Sequence, residues 1–310
     1  MIPFVDTVRK LIEKINIKGK LRTDEPMAFH TTFRTGGPAD VFAVPEDEED
    51  VRKLFAVIQG EGIPLFILGG GANILVSDRG IRGIVIDMCR FSSLVIRENS
   101  LIAQAGVSIS SVAESAQEAG FSGPDTFYAM PGSVGGSIWM NARCYGRSIS
   151  DILEWAEFMD FEGRTLRLSG EEGGFDYKLS PFQTKDAVIV QASFRLIEEN
   201  RDTVRKRMEG YKRDREGKGH FLAPSAGSVF KNNRDFGNPT GKIIDSLGLR
   251  GYTIGGARIS PVHGNIIINT GGARASDIRD LIEFTEKKVF EAYGYKLERE
   301  IRLIGDWDSV

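Results

Sequence analysis

The sequence has little cysteine, little histidine and no excess of positive charge, and each shortage excludes a class of function. Its 310 residues include only Cys89 and Cys144, too few for a disulfide framework or a thiolate metal site. None of the three histidines stands in a recognisable nucleophile–base arrangement with a serine, and we expect no metal. The net charge of −3 and the lack of a Lys/Arg-rich run argue against a nucleic-acid partner.

Long apolar runs are missing as well. No uninterrupted run approaches the roughly 20 residues that a helix needs to cross a membrane. The N-terminal stretch MIPFVDTVRKLIEKINIKGK carries charges at helical spacing and has no apolar core of the signal-peptide type. We therefore expect no membrane association, a cytoplasmic location and two free thiols.

The order of predicted elements favours an α+β fold over one large parallel sheet. The acidic residues at 46–49 suit the positive end of a helix, and Gly120 suits the end of another. A long, highly charged helix is predicted over residues 199–216. We place a domain boundary at its start, which predicts domains of residues 1–198 and 199–310.

Glycine is the one abundant residue, and its 36 copies are clustered, as in backbone that approaches a ligand closely or makes tight turns. In FILGGGANILVSDRG, Gly69, Gly70 and Gly71 follow an apolar strand and can present consecutive N–H groups to a phosphate. The dinucleotide fingerprint G-x-G-x-x-G fails, because Ile74 occupies the third glycine position and NILV predicts a strand. We expect a pyrophosphate loop of another design, with a simple glycine turn as the alternative.

Two further glycine-rich stretches lie on either side of this loop. YAMPGSVGGSIWMNARCYG is small, apolar and free of charge up to Arg143, which suits a wall against a flat aromatic ring system. TTFRTGGPADVF sets Arg34 beside Gly36 and Gly37 near the start of a strand. Three glycine loops within one N-terminal region predict a single long ligand that has a diphosphate and a ring.

A serine-centred stretch follows in the second half of the chain. LAPSAGSVFKNN, residues 222–233, sets Ser228 between small residues and ahead of Lys231. Taken alone, this pattern is typical of a turn serine that hydrogen-bonds backbone groups.

Six stretches together closely resemble the UDP-N-acetylenolpyruvoylglucosamine reductase family, the MurB flavoenzymes of peptidoglycan precursor synthesis. They are TTFRTGGPAD, ILGGGANILVSDRGIRG, MPGSVGGSIWMNA, PSAGSVFKN, GYTIGGARIS with HGNIIIN, and EREIRLIG, in the family's order and spacing. The resemblance implies an FAD-binding module of the vanillyl-alcohol-oxidase (PCMH) type in two subdomains, followed by an α+β substrate domain. It also implies that FAD and NADPH are used to reduce the enolpyruvyl group of the UDP-sugar to a lactyl ether. We expect a monomer rather than an oligomer.

The resemblance assigns site residues one by one. The cofactor would be held by Arg34, Gly36, Gly37, Gly69, Gly70, Gly71, Ala72, Asn73, Pro131, Gly132, Ser133, Gly135 and Gly136. The catalytic residues would be Ser228, Glu300 and Lys178, and the substrate would be bound by Tyr177, Lys231, Asn232 and Asn265.

The implied reaction explains how a serine can act without a histidine. An enol ether accepts hydride at its terminal carbon only if the attached carboxylate absorbs the charge, so cations and hydrogen-bond donors must stabilise that carboxylate. The α-carbon that remains is strongly basic, and a positioned hydroxyl is acid enough to protonate it. The resemblance gives this role to Ser228, and it gives Glu300 a hydrogen bond to the carboxylate region, as an acid or through water.

The chain departs from the family pattern in three places. Lys178 stands where the family has arginine, which keeps the charge but loses the two-pronged geometry for a carboxylate. Arg143 stands where the family generally has glycine, and it either replaces the missing guanidinium or points to solvent or a nearby carboxylate. Lys218 is displaced by one place and His220 occupies the position of a common proline, which leaves the pyrophosphate contacts of this loop open.

Two alternatives remain at this stage. Another flavoenzyme of the same fold, such as an oxidase of alcohols or aldonolactones, would share the cofactor loops but not the GSVFKNN and EREIRLIG pair. A flavin- or UDP-sugar-binding homologue with impaired catalysis would fit Lys178, whereas the presence of both Ser228 and Glu300 argues against it.

Overall fold

The computed structural model describes residues 15–307, and its contacts divide the chain into two compact units. Among these residues, the first unit comprises 15–24, 40–70 and 83–212, and the second comprises 25–39, 71–82 and 213–307. We predicted one boundary, near residue 199. The division by contacts falls instead inside the charged helix, after Lys212, and adds two N-terminal stretches to the second unit. The assignment of FAD to residues 1–198 and of substrate to residues 199–310 stays a prediction.

The described chain alternates helices and strands in an irregular order. The strands are β1 (Lys20–Pro26), β2 (Pro38–Val44), β3 (Leu65–Leu68), β4 (Ile74–Val76), β5 (Ile81–Asp87), β6 (Leu94–Arg97), β7 (Ser100–Gln104), β8 (Phe121–Ser122), β9 (Arg143–Cys144), β10 (Arg147–Ser148), β11 (Leu153–Asp160), β12 (Thr165–Ser169), β13 (Ala187–Arg195), β14 (Ile197–Glu198), β15 (Thr253–Ile254), β16 (Ala257–Ile259), β17 (Ile267–Asn269) and β18 (Arg302–Ile304). The α-helices are α1 (Glu48–Glu61), α2 (Ile109–Ala119), α3 (Val134–Trp139), α4 (Arg201–Gly217), α5 (Thr240–Ser246) and α6 (Ala275–Tyr293). Short 3-10 helices lie at Met27–Phe29, Met88–Arg90, Pro124–Phe127, Ile149–Asp151, Pro181–Gln183 and Arg234–Phe236.

The first unit contains a four-stranded sheet in the order β1-β2-β5-β3, on which α1 packs. The acidic run predicted this helix, and Asp47 caps it by accepting a hydrogen bond from Asp50 N (3.0 Å). The apolar side of α1 packs through Leu54 and Phe55 against Val41 of β2, in a fully buried core.

The first unit also contains a five-stranded antiparallel sheet in the order β12-β11-β13-β7-β6. Helices α2 and α3 pack against it, and α2 ends at Gly120 as predicted, because this glycine takes a left-handed φ of +91°. Phe127, Phe182 and Phe194 fill the core beneath the helices. The five-stranded sheet also contributes Met159, Val188 and Val190 to the core around α1, so the two sheets of the first unit share that core.

The second unit is built around a three-stranded antiparallel sheet, β15-β16-β17, that packs with α5 and α6. The segment after the glycine loop is a strand, as predicted, because β4 pairs in parallel with β18 near the end of the chain. Asp78 holds the start of α6 by accepting hydrogen bonds from Ala275 N (2.7 Å) and Ser276 N (2.9 Å). Leu75 and Leu281 lie in the buried core that results.

The observed architecture confirms the predicted α+β class. Within residues 15–307, no helix is both long enough and apolar enough to span a bilayer. The charged N-terminal pattern lies outside the described residues as far as residue 14.

Candidate active site

Two of the predicted glycine loops touch each other inside the first unit. A Cβ at Gly70 would lie 2.7 Å from Gly132 Cα, and one at Gly69 would lie 2.6 Å from Ser133 Oγ, so side chains here would force the loops apart. Within the described part of the chain, the backbone N–H groups of these four residues donate to no protein atom. Unpaired donors on touching loops are suited to an anion such as a diphosphate.

Gly135 and Gly136 serve the internal packing of the second loop. Gly135 N donates to Ala105 O (2.9 Å), and Gly136 N donates to Ser133 Oγ (3.3 Å). A Cβ at Gly135 would lie 3.1 Å from that of Ala105. The protein itself engages both N–H groups, so the structure indicates that these two glycines contribute by their small size, and their contact with the cofactor stays a prediction. Pro131 is exposed at the start of the loop.

The third glycine stretch, in the second unit, also owes its glycines to close packing. Gly36 has a φ of +125°, and a Cβ there would lie 2.8 Å from Val76 Cβ. Gly37 N donates to Ser77 O (2.8 Å). Arg34 has an exposed side chain and a φ of +56°, a strained conformation that is concentrated at functional sites. Of the three cofactor residues predicted in this stretch, only Arg34 therefore has a side chain to offer to a ligand.

The end of the first glycine loop is tied to the C-terminal strand of the second unit. Gly71 has a φ of +60°, and its carbonyl accepts a hydrogen bond from Thr32 N (3.1 Å). Asn73 Nδ2 donates to Glu300 O (3.0 Å), and Asn73 O accepts from Arg302 N (3.0 Å). The N–H groups of Ala72 and Asn73 donate to no protein atom among residues 15–307.

The structure brings Ser228 and Glu300 onto neighbouring backbone segments of the second unit. Glu300 N donates to Val229 O (2.7 Å), and Phe230 pairs with Arg299 in antiparallel fashion. Ser228 and Glu300 are both partly exposed. The backbone hydrogen bonds of their neighbours therefore fix them in register, and each remains accessible to a ligand.

Asn265 holds the Ser228 segment from its other side. Its Oδ1 accepts from Phe230 N (2.9 Å), its Nδ2 donates to Phe230 O (2.8 Å), and its carbonyl accepts from Val229 N (2.9 Å). The residue is only 3% exposed. We expected a substrate contact; because the side chain is buried and both its polar groups are engaged, the structure gives Asn265 the role of bracing the backbone instead.

Lys231 and Asn232 are held by a residue that the sequence patterns did not reveal. Thr240 Oγ1 donates to Lys231 O (2.8 Å), and Thr240 N donates to Asn232 Oδ1 (2.9 Å). Lys231 Nζ pairs with Glu298. Thr240 is fully buried at the start of α5, and the Asn-Pro-Thr sequence before that helix is the signal that indicates it.

Lys178 and Tyr177 lie in a tight turn of the first unit. Asp176 and Leu179 exchange two backbone hydrogen bonds (3.1 and 3.0 Å), and Lys178 between them has a φ of +55°. A non-glycine residue held at positive φ is strained and is common at ligand sites. Tyr177 is 43% exposed. Arg143 is exposed and donates from Nη1 to Ser148 Oγ (3.0 Å), so its guanidinium is engaged locally.

Two histidines lie close together in the second unit, near the loop whose pyrophosphate contacts the sequence left open. The ring centroids of His220 and His263 are 6.4 Å apart. Burial is the main cause that lowers the pKa of His220 to about 4, and Arg215 adds to it. Burial also lowers the pKa of His263. Both rings are therefore neutral at pH 7.

Comparison with known proteins defines the class first. The family model of the FAD binding domain matches residues 39–169, a span that contains the touching loops around Gly70 and Gly132. The unpaired N–H donors of those loops fit the diphosphate of FAD. The protein is thus an FAD-dependent oxidoreductase, as predicted.

The particular family follows from the whole chain. The model of the UDP-N-acetylenolpyruvoylglucosamine reductase C-terminal domain matches residues 219–304, which include Ser228 and Glu300. The UDP-N-acetylenolpyruvoylglucosamine reductase of Caldanaerobacter subterraneus subsp. tengcongensis is 39% identical over 97% of this chain and 98% of its own length. That of Borreliella burgdorferi is 38% identical over 96% and 98%.

A solved structure agrees with these relatives. The crystal structure of MurB from Thermus caldophilus has 29% identity and a TM-score of 0.79, and the match covers 93% of this chain and 100% of the other. The chain belongs to the UDP-N-acetylenolpyruvoylglucosamine reductase family. This sets aside the alternative of an alcohol or aldonolactone oxidase that shares only the cofactor loops.

Proposed function

We propose that this chain reduces UDP-N-acetylenolpyruvoylglucosamine to UDP-N-acetylmuramate in peptidoglycan precursor synthesis, with NADPH as the reductant and Ser228 as the proton donor. Two relatives that bear this reductase name match almost the whole chain at 38–39% identity. The observation that carries the catalytic roles is the hydrogen bond from Glu300 N to Val229 O, which joins the two candidate segments.

The reaction adds one hydride and one proton across the carbon–carbon double bond of the enol ether. The chemistry that bound FAD supplies is hydride transfer, from NADPH to the terminal carbon of the enolpyruvyl group. NADPH becomes NADP⁺, and the α-carbon needs a proton to complete the lactyl ether. No bond to the sugar or to the diphosphate changes.

The side chains of the protein manage the charge and the proton. Lys178 supplies a cation to the substrate carboxylate, where negative charge grows during hydride addition. Glu300 hydrogen-bonds the same region, as a protonated acid or through a water molecule. The Ser228 hydroxyl then delivers its proton to the basic α-carbon, and solvent restores it. Tyr177, Lys231 and Asn232 are the proposed contacts with the rest of the substrate, since each is partly or fully exposed.

The test uses the purified protein in both halves of the reaction. Protein isolated with a visible flavin band is mixed anaerobically with NADPH, which bleaches the band, and then with UDP-N-acetylenolpyruvoylglucosamine, which restores it. Mass spectrometry must show a product that is two hydrogen atoms heavier than the substrate. Bleaching without product contradicts the proposal and identifies a homologue with impaired catalysis. Protein that takes up no flavin contradicts it as well.

We also propose that the enzyme acts as a monomer in the cytoplasm. Neither Cys89 nor Cys144 is in a disulfide, as a reducing compartment favours. Light scattering after size exclusion tests the first point, and fractionation of the producing cells tests the second.

A further inference from the structure

The side chain of Asn73 makes a hydrogen bond that the backbone would make in a regular pair of parallel strands. Strand β18 pairs with β4 so that Arg302 is opposite Ile74, which places Ile301 opposite Asn73. In a regular parallel ladder, Asn73 would accept from the N–H of residue 302 and donate its own N–H to the carbonyl of residue 300. The first of these bonds is present, from Arg302 N to Asn73 O (3.0 Å).

The second hydrogen bond, to the carbonyl of residue 300, is made by the side-chain amide of Asn73 instead of by its backbone N–H. Asn73 Nδ2 donates to Glu300 O over 3.0 Å. Within residues 15–307, the backbone N–H of Asn73 donates to no protein atom. The side chain thus donates to the Glu300 carbonyl in place of the backbone N–H of Asn73. That backbone N–H, at the end of the glycine loop, is left without an acceptor among the described residues.

The backbone of Glu300 is consequently held from two directions. Its N–H donates to Val229 O (2.7 Å), in the segment that carries Ser228, and its C=O accepts from Asn73. Loss of the side-chain amide of Asn73 would have one of two consequences. Either the Glu300 carbonyl loses the hydrogen bond from Asn73, or the backbone N–H of Asn73 turns toward that carbonyl and replaces the side-chain donor. Each result moves Glu300 relative to the Ser228 segment.

We propose that Asn73 is a positioning residue for Glu300, whose amide fixes the Glu300 carbonyl and so keeps the Asn73 N–H available to a ligand oxygen. This inference rests on the proposed catalytic role of Glu300. It gives Asn73 an action on the substrate half of the reaction, in addition to the cofactor contact expected from the resemblance.

The experiment is a double-mutant cycle on the full-length, flavin-loaded enzyme. Asn73→Asp keeps the size of the side chain but removes its donor, and Asn73→Ser is the second variant in case the first is unstable. Each is made in the native and in the Glu300→Gln background. We expect a tenfold or greater loss of kcat in the native background and less than a twofold loss in the Glu300→Gln background, because residues that act as a unit are not additive.

Two readouts separate positioning from general damage. Glu300 has no proposed role in the bleaching of the flavin by NADPH, so the bleaching rate should stay within twofold, whereas reoxidation by substrate should slow. FAD affinity should fall about threefold to tenfold, because the Asn73 N–H is displaced. Asn238→Asp, an exposed change of the same kind in the second unit, is the control and should change neither rate.

Three outcomes would overturn the inference. One is an equal loss of kcat in both backgrounds. Another is a parallel fall in the bleaching rate, which indicates a structural defect. The third is full turnover by Glu300→Gln alone, which also removes the proposed role of Glu300 and so is distinguishable from the first two.

Discussion

Glu300 donates its backbone N–H to the carbonyl oxygen of Val229 over 2.7 Å, so that the segment of Glu300 runs beside the segment of Ser228. This register is made by backbone atoms, with the Asn265 amide bracing Phe230 from the other side. The register of the two segments therefore does not depend on the hydroxyl of Ser228. Replacement of this hydroxyl tests chemistry rather than folding.

Replacement of Ser228 by alanine removes the proposed proton donor. We expect kcat to fall by roughly 10²–10⁴-fold, the usual contribution of a positioned general acid. Bleaching of the flavin by NADPH should keep its native rate, because no proton reaches the substrate in that half of the reaction. Stopped-flow absorbance measures both halves separately.

The matched control for this serine lies three residues upstream. Ser225 is buried in the same loop, and Ser225→Ala should leave the rate of substrate reduction within a few-fold of native. Full product formation by Ser228→Ala would contradict the assignment of the proton to this hydroxyl.

Lys178 is the proposed cation for the substrate carboxylate. Its removal in Lys178→Ala should lower kcat/KM by about 10–100-fold, which corresponds to one charged hydrogen bond of about 1.5–3 kcal/mol. Lys178→Arg keeps the charge and restores a two-pronged donor, so it should match or exceed the native value. Steady-state kinetics with varied UDP-sugar measures this. Lys185→Ala, at an exposed lysine nearby in the chain, is the control; an equally small effect at both positions would rule out the role of Lys178.

Local patterns predicted a large part of this fold. The start of α1 at Asp47 and the end of α2 at Gly120 were predictable, because caps depend on residues within one turn. The strand after the glycine loop was predictable from the absence of a helix-opening glycine at Ile74. The family could be predicted from the six similar stretches, because their order and spacing are distinctive.

The sequence could not reveal contacts between distant segments. Asn73 and Glu300 are 227 positions apart, and only the pairing of β4 with β18 brings them together. For the same reason, residues 25–39 and 71–82 were not expected to pack with the C-terminal third. Asn265 shows a different limit: an asparagine suits a substrate and a backbone strand equally well, so residue type alone could not distinguish the two roles.

Gly70 allows the two glycine loops of the first unit to touch. In Gly70→Ala, the new Cβ would lie 2.7 Å from Gly132 Cα, so the loops must separate and their N–H donors must move. We expect the flavin absorbance per protein to fall at least several-fold after purification. Gly60→Ala is the control, because nothing lies within 4 Å of its Cβ in helix α1, and it should keep its flavin while gaining up to about 1 kcal/mol of stability. Equal flavin content in both variants would show that the contact does not matter.

Asn265 should matter for stability before it matters for catalysis. In Asn265→Ala, the N–H and C=O of Phe230 lose their partners in a buried position, at about 1–3 kcal/mol each. We expect the free energy of unfolding in urea to fall by about 2–4 kcal/mol. The exposed Asn238→Ala serves as the comparison. A loss below about 0.5 kcal/mol would contradict the bracing role, since changes of that size are ordinary for surface residues.

His220 should make the fold less stable in mild acid. Burial lowers its folded-state pKa from 6.5 to about 4, so between these two values the unfolded chain binds the additional proton. Stability is therefore full above about pH 6.5 and declines as the pH falls toward 4, by at most about 3 kcal/mol. The ring faces His263, Arg215, Lys218 and Asp214, and of these only Asp214 raises its pKa. Urea unfolding at several pH values should show a shallower decline for His220→Asn than for the native protein, and identical slopes would exclude this histidine as the cause.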